Sequence, residues 1–318
     1  MRTASKYDLY LTWHSTICRL AKGIFTKKQR SRKNFFDMAV ECLEPKSITN
    51  IDLMLWAMEE EHIRRGNRCI FVEDLKLVEM LGGATMEIEP DNITADPKTP
   101  QLFSIAWPAG CREIGISPCL VYIGTRGGFT KIRKNHLKSM KIPESELDGF
   151  DSHLHDEDLF VAVFISYNET SNWERGQYLA SCIPVDRIKA SIESTASMKE
   201  ALPVISSNRD LTLSERERES EFLTLRAVLR LVVYMRACPW LVRDGFPAGA
   251  PVVPKYMSFV PSRVGLPPHD RNSPEVHWRT WHFRQYPKRK DGTRKAGVVF
   301  VNGTVVGVKV DPESVRSE

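Results

Sequence analysis

Apolar positions recur along this chain with two different periods, and the change of period marks out its parts. Over residues 5–22, Leu9, Trp13, Thr16/Ile17 and Leu20 follow helical spacing, which predicts a first helix. "TKKQRSRKNFF" (26–36) interrupts it as a basic connector or exposed helix end. "SITNIDLMLWAMEEEHIRRG" predicts a second helix, with Asn50 as candidate N-cap, an apolar side of Leu53, Leu55/Trp56 and Ile63, and a stop at Gly66. "CIFVEDLKLVEMLGG" then gives a short apolar segment and a further helical stretch closed by Gly82-Gly83.

From residue 84 the pattern shortens. "QLFSIAW", "REIGI" and "CLVYIGT" predict strands, and "TRGGF" (125–129) a turn. "LFVAVFISY" (159–167) is the strongest candidate for a buried strand. "GQYLASCIPV" follows it across the Asn-rich "YNETSNWERG", which suits a hairpin. "SIESTASMKEAL" predicts a surface helix. The clearest element is "SERERESEFLTLRAVLRLVVYMRAC" (214–238). Ser214 and Glu217 form a capping box, Phe222, Leu225, Val228/Leu229, Val232 and Met235 follow at helical spacing, and Pro239 ends it. After the Pro/Gly-rich "GFPAGAPVVPK", the tail predicts strands at 276–286 and 298–302, an Asn302-Gly303 hairpin turn, and a strand at 304–310. These elements define an α+β fold: N-terminal helices, a central mixed or antiparallel sheet, a long core helix and a C-terminal basic β-ribbon. Three regions follow: a helical one at 1–83, a β-rich one at 84–211, and the long helix with a basic β-meander at 212–318.

Composition narrows the class. With 42% hydrophobic and 27% charged residues the chain reads as globular. Its most apolar stretch, "LRAVLRLVVYMRACPWLV" (225–242), is broken by three Arg, so a core helix is expected and no membrane partner. The N-terminus lacks the apolar core of a signal peptide, which makes the cytoplasm the expected compartment. Seven Cys, an odd number with no C-x-x-C, argue against a disulfide framework or structural zinc. Charge is unevenly distributed: residues 1–40 balance to +7, 41–239 to −8 and 240–318 to +6. Basic ends around an acidic middle suit a polyanionic or acidic partner, or pairing with that middle.

Candidate chemistry concentrates in "HWRTWHFRQYPKRK" (277–290). On a strand, alternation puts His277, Arg279, Trp281 and Phe283 on one face and Trp278, Thr280, His282, Arg284 and Tyr286 on the other. Rings stack on bases or hydrocarbon, while Arg and Lys bind phosphates or carboxylates. The candidate binding residues are therefore Trp278, Arg279, Trp281, His282, Arg284, Tyr286, Lys288, Arg289 and Lys290. An edge strand guarded by its cations is the plainer alternative. A nuclease using His277 or His282 as general acid/base is a further one, weakened because the two fall on opposite faces. "DSHLHDED" places His153 and His155 among acids, but such a loop is ordinarily only solvated, so no metal and no cofactor are expected. "GTRGGF" lacks the Lys-Ser/Thr of a phosphate loop, and the chain has no G-x-S-x-G and no H-E-x-x-H.

"AVLRLVVYMRACPWLVRDGFP" (227–247) and "VHWRTWHFRQYPKRKDGTRKAGVVFVNG" (276–303) together resemble the type V-A anti-CRISPR family of plasmids and phages that blocks accumulation of the type V CRISPR effector nuclease. Where that family reads "RRGHW" this chain reads "RTWHF", with Thr280 and Trp281 at the Arg-Gly step. The resemblance implies a non-enzymatic inhibitor whose partner is the nascent N-terminal peptide of the effector, with the ribosome or mRNA close by. An RNA- or DNA-binding protein or a His-dependent nuclease of a mobile element stands as the alternative.

Overall fold

A computed structural model describes residues 6–10, 17, 21–30, 38, 41–42, 50–83, 93–94, 96, 98–139, 155–167, 177–185, 215–250, 260–266, 282–286 and 297–301. Its elements in chain order are β1 (Tyr7–Asp8), α1 (Lys27–Arg30), α2 (Asn50–Arg64), β2 (Arg68–Val72), α3 (Leu75–Gly83), β3 (Gln101–Pro108), β4 (Cys119–Thr125) and α4 (Arg126–Ser139). There follow β5 (Leu159–Tyr167), β6 (Gln177–Pro184), α5 (Glu215–Ala237), a 3-10 turn (Pro239–Leu241), β7 (Val242–Asp244), β8 (Val260–Val264), β9 (His282–Tyr286) and β10 (Gly297–Val301).

The architecture is α+β around one mixed sheet, ordered β6-β5-β4-β3-β2-β8-β7, with β1 paired antiparallel to the end of β3. β2 runs parallel to both β3 and β8, and the other neighbours are antiparallel. Each of the three regions delimited in the sequence contributes strands to this sheet.

Both faces of the sheet are covered, which explains why its strands read as continuous apolar runs. Phe103, Ile105 and Trp107 of β3, Cys119, Val121 and Ile123 of β4, and Val161, Val163 and Ile165 of β5 pack against α3 and α5. The alternate positions, Leu102, Leu120, Tyr122, Phe160, Ala162 and Phe164, pack against α2, α4 and the helical residues Ile17 and Ala21. The result is a helix–sheet–helix sandwich. α5 lies deep in it, with Ala227–Tyr234 buried on all sides. Several of its polar groups bond to the turn at 110–117 and to α3. Ser220 Oγ donates to the Gly115 carbonyl (2.7 Å), the Ser117 N–H donates to Thr224 Oγ1 (2.9 Å), and Arg230 donates to the Leu81 carbonyl (2.6 Å) and to that of Gly82.

Three local expectations are corrected. Tyr7–Asp8, expected within a helix, are a short strand, because the Trp107–Pro108 end of β3 offers them backbone partners. "REIGI" is a turn and not a strand: Gly110 and Gly115 take φ of +100° and +81°, and Gly115 leaves only 3.0 Å between a would-be Cβ and Leu223 Cδ1. "TRGGF" opens α4 and is not a turn. Thr125 Oγ1 accepts from the Gly128 N–H (3.2 Å), which caps the helix, and a Cβ at Gly128 would lie 2.8 Å from the Tyr122 hydroxyl. The surface helix expected at 191–202 lies outside the described residues.

Candidate nucleic-acid interface

β9 and β10 form a two-stranded antiparallel sheet of their own, separate from the main one. His282 pairs with Val301, Arg284 with Val299 and Tyr286 with Gly297. His282, Arg284 and Tyr286 therefore occupy one parity of β9, and Phe283 and Gln285 the other. β10 lies against α5, a helix buried along Ala227–Tyr234. Val298–Val301 supply the apolar, β-branched partner strand that a ribbon of rings and cations needs. The basic stretch with Lys288, Arg289 and Lys290 joins the Tyr286 and Gly297 ends of this pairing. His277, Trp278, Arg279, Trp281, Lys288, Arg289 and Lys290 lie outside the described residues, as do the strand expected at 304–310 and its Asn302-Gly303 turn. The structure thus brings His282, Arg284 and Tyr286 together on one strand. The ribbon's second strand starts at Gly297, one residue before the sequence placed it.

Elsewhere, several titratable groups among the described residues are buried or bonded within the fold. Among the described residues no group of three or more His, Cys, Asp or Glu is arranged to hold a metal. His155 is exposed, and the turn it belongs to docks on the start of α4. The Gly127 N–H donates to the Asp156 carbonyl (2.9 Å), the Arg126 N–H to the Asp158 carbonyl (2.9 Å), and the Arg126 guanidinium to Asp156 Oδ1 (3.1 Å). Cys69, Cys111, Cys119 and Cys238 are buried free thiols. Burial pushes Cys69 and Cys111 up to about 12 and Cys119 higher still, so these sulfurs stay protonated and are poor nucleophiles. His62 is fully buried, and its Nε2 donates to the Arg68 carbonyl (2.8 Å). Burial holds it down at about 4, so it is neutral near pH 7.

One ionic cluster had no signal in the sequence. Glu61, 2% exposed, accepts from both ends of the Arg64 guanidinium (2.7 and 2.6 Å), from Arg65 Nε (2.7 Å) and from His136 Nε2 (2.9 Å). Burial alone would raise its carboxyl. The hydrogen bonds from Arg64, His136 and Arg65 outweigh that and hold it at about 2. The cluster ties the C-terminal end of α2 to α4. Its partners on α2 sit three and four residues away, but His136 is 75 positions downstream, beyond anything spacing reveals.

Fold and site together define a three-layer α+β protein that carries a separate cationic, aromatic ribbon at its C-terminal end. No protein-family model, no curated protein and no solved structure matches the chain.

Proposed function

We propose that this chain is a non-enzymatic inhibitor from a mobile element, one that lowers expression of a type V CRISPR effector. In this reading it binds the effector's nascent N-terminal peptide or the translating mRNA complex, with the C-terminal ribbon against RNA. The observation that carries the reading is the β9–β10 ribbon itself. It stands apart from the main sheet and repeats ring and cation at His282, Arg284 and Tyr286, and its two strands are joined by Lys288, Arg289 and Lys290. Backbone cations contribute affinity without sequence preference, and rings add stacking of about 1–3 kcal/mol per base. The quoted C-terminal pattern supports the choice of target.

RNA affinity of the purified chain should fall linearly with salt on logarithmic axes, at about 0.7–0.9 of a unit per phosphate contacted. Reversing the charge of Lys288, Arg289 and Lys290 should flatten that slope by about two units or more. An unchanged slope removes the ribbon from the RNA contact surface. The His277→Ala and His282→Ala variants should each leave inhibition largely intact, because each removes at most one ring from a ribbon with several. A general acid/base histidine contributes roughly 100-fold or more to a rate. If both variants fold and bind normally yet fail to inhibit, the ribbon is a catalytic site and the binding reading is wrong.

A further inference from the structure

The helical layer formed by α2 and α4 separates its charges by depth. α4 carries Arg126, Lys131, Arg133, Lys134 and Lys138 and no Asp or Glu. Lys131, Lys134 and Lys138 fall at i, i+3 and i+7, one stripe of the helix, and all three are exposed. Phe129, Ile132 and Leu137 face the other way and are buried against the sheet. On α2 Glu59 and Glu61 are turned inward, while Glu60 is half-buried: Glu59 is 1% exposed and accepts from the Tyr10 hydroxyl (2.7 Å), and Glu61 is the centre of the cluster described above. Its Arg64 stays at the surface, with 68% of its side chain exposed. The His136–Glu61–Arg64/Arg65 contacts lie on the inner side of α4, since His136 is roughly 140–160° around the helix from Lys131, Lys134 and Lys138. Among the described side chains of α2 and α4 no carboxylate is exposed, whereas Lys131, Lys134 and Lys138 are.

We infer that this outer face is a second RNA-binding surface, one that grips the phosphate backbone of a folded or double-stranded RNA. The occupant follows from the chemistry present and absent. Three ammonium groups along about 10 Å of a helix that carries no Asp or Glu complement a row of phosphates. No aromatic side chain among the described residues of α2 and α4 is exposed, so base stacking has no platform here. The face is suited to backbone contact without sequence preference, whereas the ribbon, with its rings, is suited to unpaired bases. The inference rests on the RNA part of the function proposed above, which it extends to a division of labour between two surfaces.

The test is a titration of the full chain with a labelled mixed-sequence RNA hairpin over a range of salt concentrations. It is repeated on the triple variant Lys131→Gln, Lys134→Gln, Lys138→Gln. These side chains are exposed, so melting should be unchanged. Affinity at low salt should fall at least about 10-fold, and the logarithmic salt slope should lose about two units, at about 0.7–0.9 per lost phosphate contact. If the triple variant melts early, Lys134→Gln alone is read for its own loss of about one unit. A stripe variant that titrates like the wild type, while the Lys288/Arg289/Lys290 reversal still flattens the slope, overturns this inference and leaves the ribbon reading standing. A wild-type chain that binds no hairpin overturns this inference, and one that binds neither the hairpin nor an unpaired RNA of the same composition removes RNA from the function proposed above as well. Equal affinity for a DNA duplex of the same sequence overturns the assignment to RNA. Tighter binding of polyglutamate than of the hairpin replaces RNA with an acidic protein partner.

Discussion

Trp107→Ala should destabilise the protein by about 3–5 kcal/mol, the range for removing a fully buried large ring whose site cannot collapse. Trp107 is completely buried at the end of β3, on the sheet face that meets α3 and α5. Its indole N–H donates to the Ser117 carbonyl (3.0 Å) in the turn that α5 holds through Ser220 and Thr224. Truncation therefore opens a cavity between sheet and helix and leaves a carbonyl without its donor, and both losses act on one packing surface. A thermal melt should show the midpoint lowered by on the order of 10 °C. The matched control is Trp240→Ala. That ring is 66% exposed, and its loss should change stability by no more than about 0.5 kcal/mol. Equal effects from the two variants would contradict the placement of β3 in the centre of the sheet.

The second large effect belongs to Glu61→Ala. Breaking a buried ion pair by removing one partner costs about 3–5 kcal/mol, and the exposure of Arg64 lowers the expectation here to about 2–3 kcal/mol. The pH dependence gives the mechanism. Glu61 is held at about 2 in the folded protein, below its ordinary value near 4.5. Its contribution is then fully present above about pH 4.5 and is lost as pH falls toward 2, because the unfolded chain takes up the proton first. His62 acts in the same direction over a higher window. Burial holds it at about 4 against an ordinary 6.5, so the fold weakens as pH falls from about 6.5 to 4. Chemical denaturation at a series of pH values should therefore show the gap between wild type and Glu61→Ala closing only below about pH 4.5, while His62→Gln changes the slope above it. A gap independent of pH down to about 2 would mean that the carboxylate does not hold its partners in charged form.

Much of the fold is written in the apolar runs. β3, β4 and β5 were legible because strands covered on both sides need no polar alternation, and "LFVAVFISY" shows this most plainly. α2, α3 and α5 were legible from helical spacing together with the stops at Gly66, Gly82-Gly83 and Pro239. What escaped was context. β8 contains Pro261, which argues against a strand between two neighbours. The structure tolerates it because the Pro261 carbonyl, and with it the ring nitrogen, faces the β7 side just where β7 has ended, with the Gly245 N–H donating to that carbonyl (3.0 Å). β7 itself is three residues long and has no period to detect. α4 was hidden by Gly127-Gly128, which serve close approach and not a turn. Gly127 sits against Asp156, and Gly128 against the Tyr122 hydroxyl. Of the candidate site, spacing placed the end of β9 at Tyr286 and the start of β10 to within a residue, while residues 276–281 of the expected first strand lie outside the described residues. It gave nothing of the Glu61 cluster or of the basic outer face of α4, since both depend on which helices the sheet brings together.

The central claim, that this chain silences a type V effector through its nascent N-terminus, is tested most directly by reporter mRNA abundance in cells making the chain. One reporter carries the effector's N-terminal segment, a second the same peptide from recoded synonymous codons, and a third a scrambled peptide of equal composition. The account predicts that mRNA of the first two falls while the third persists. Unchanged mRNA for all three reporters, in cells where the chain is folded and abundant, would contradict it.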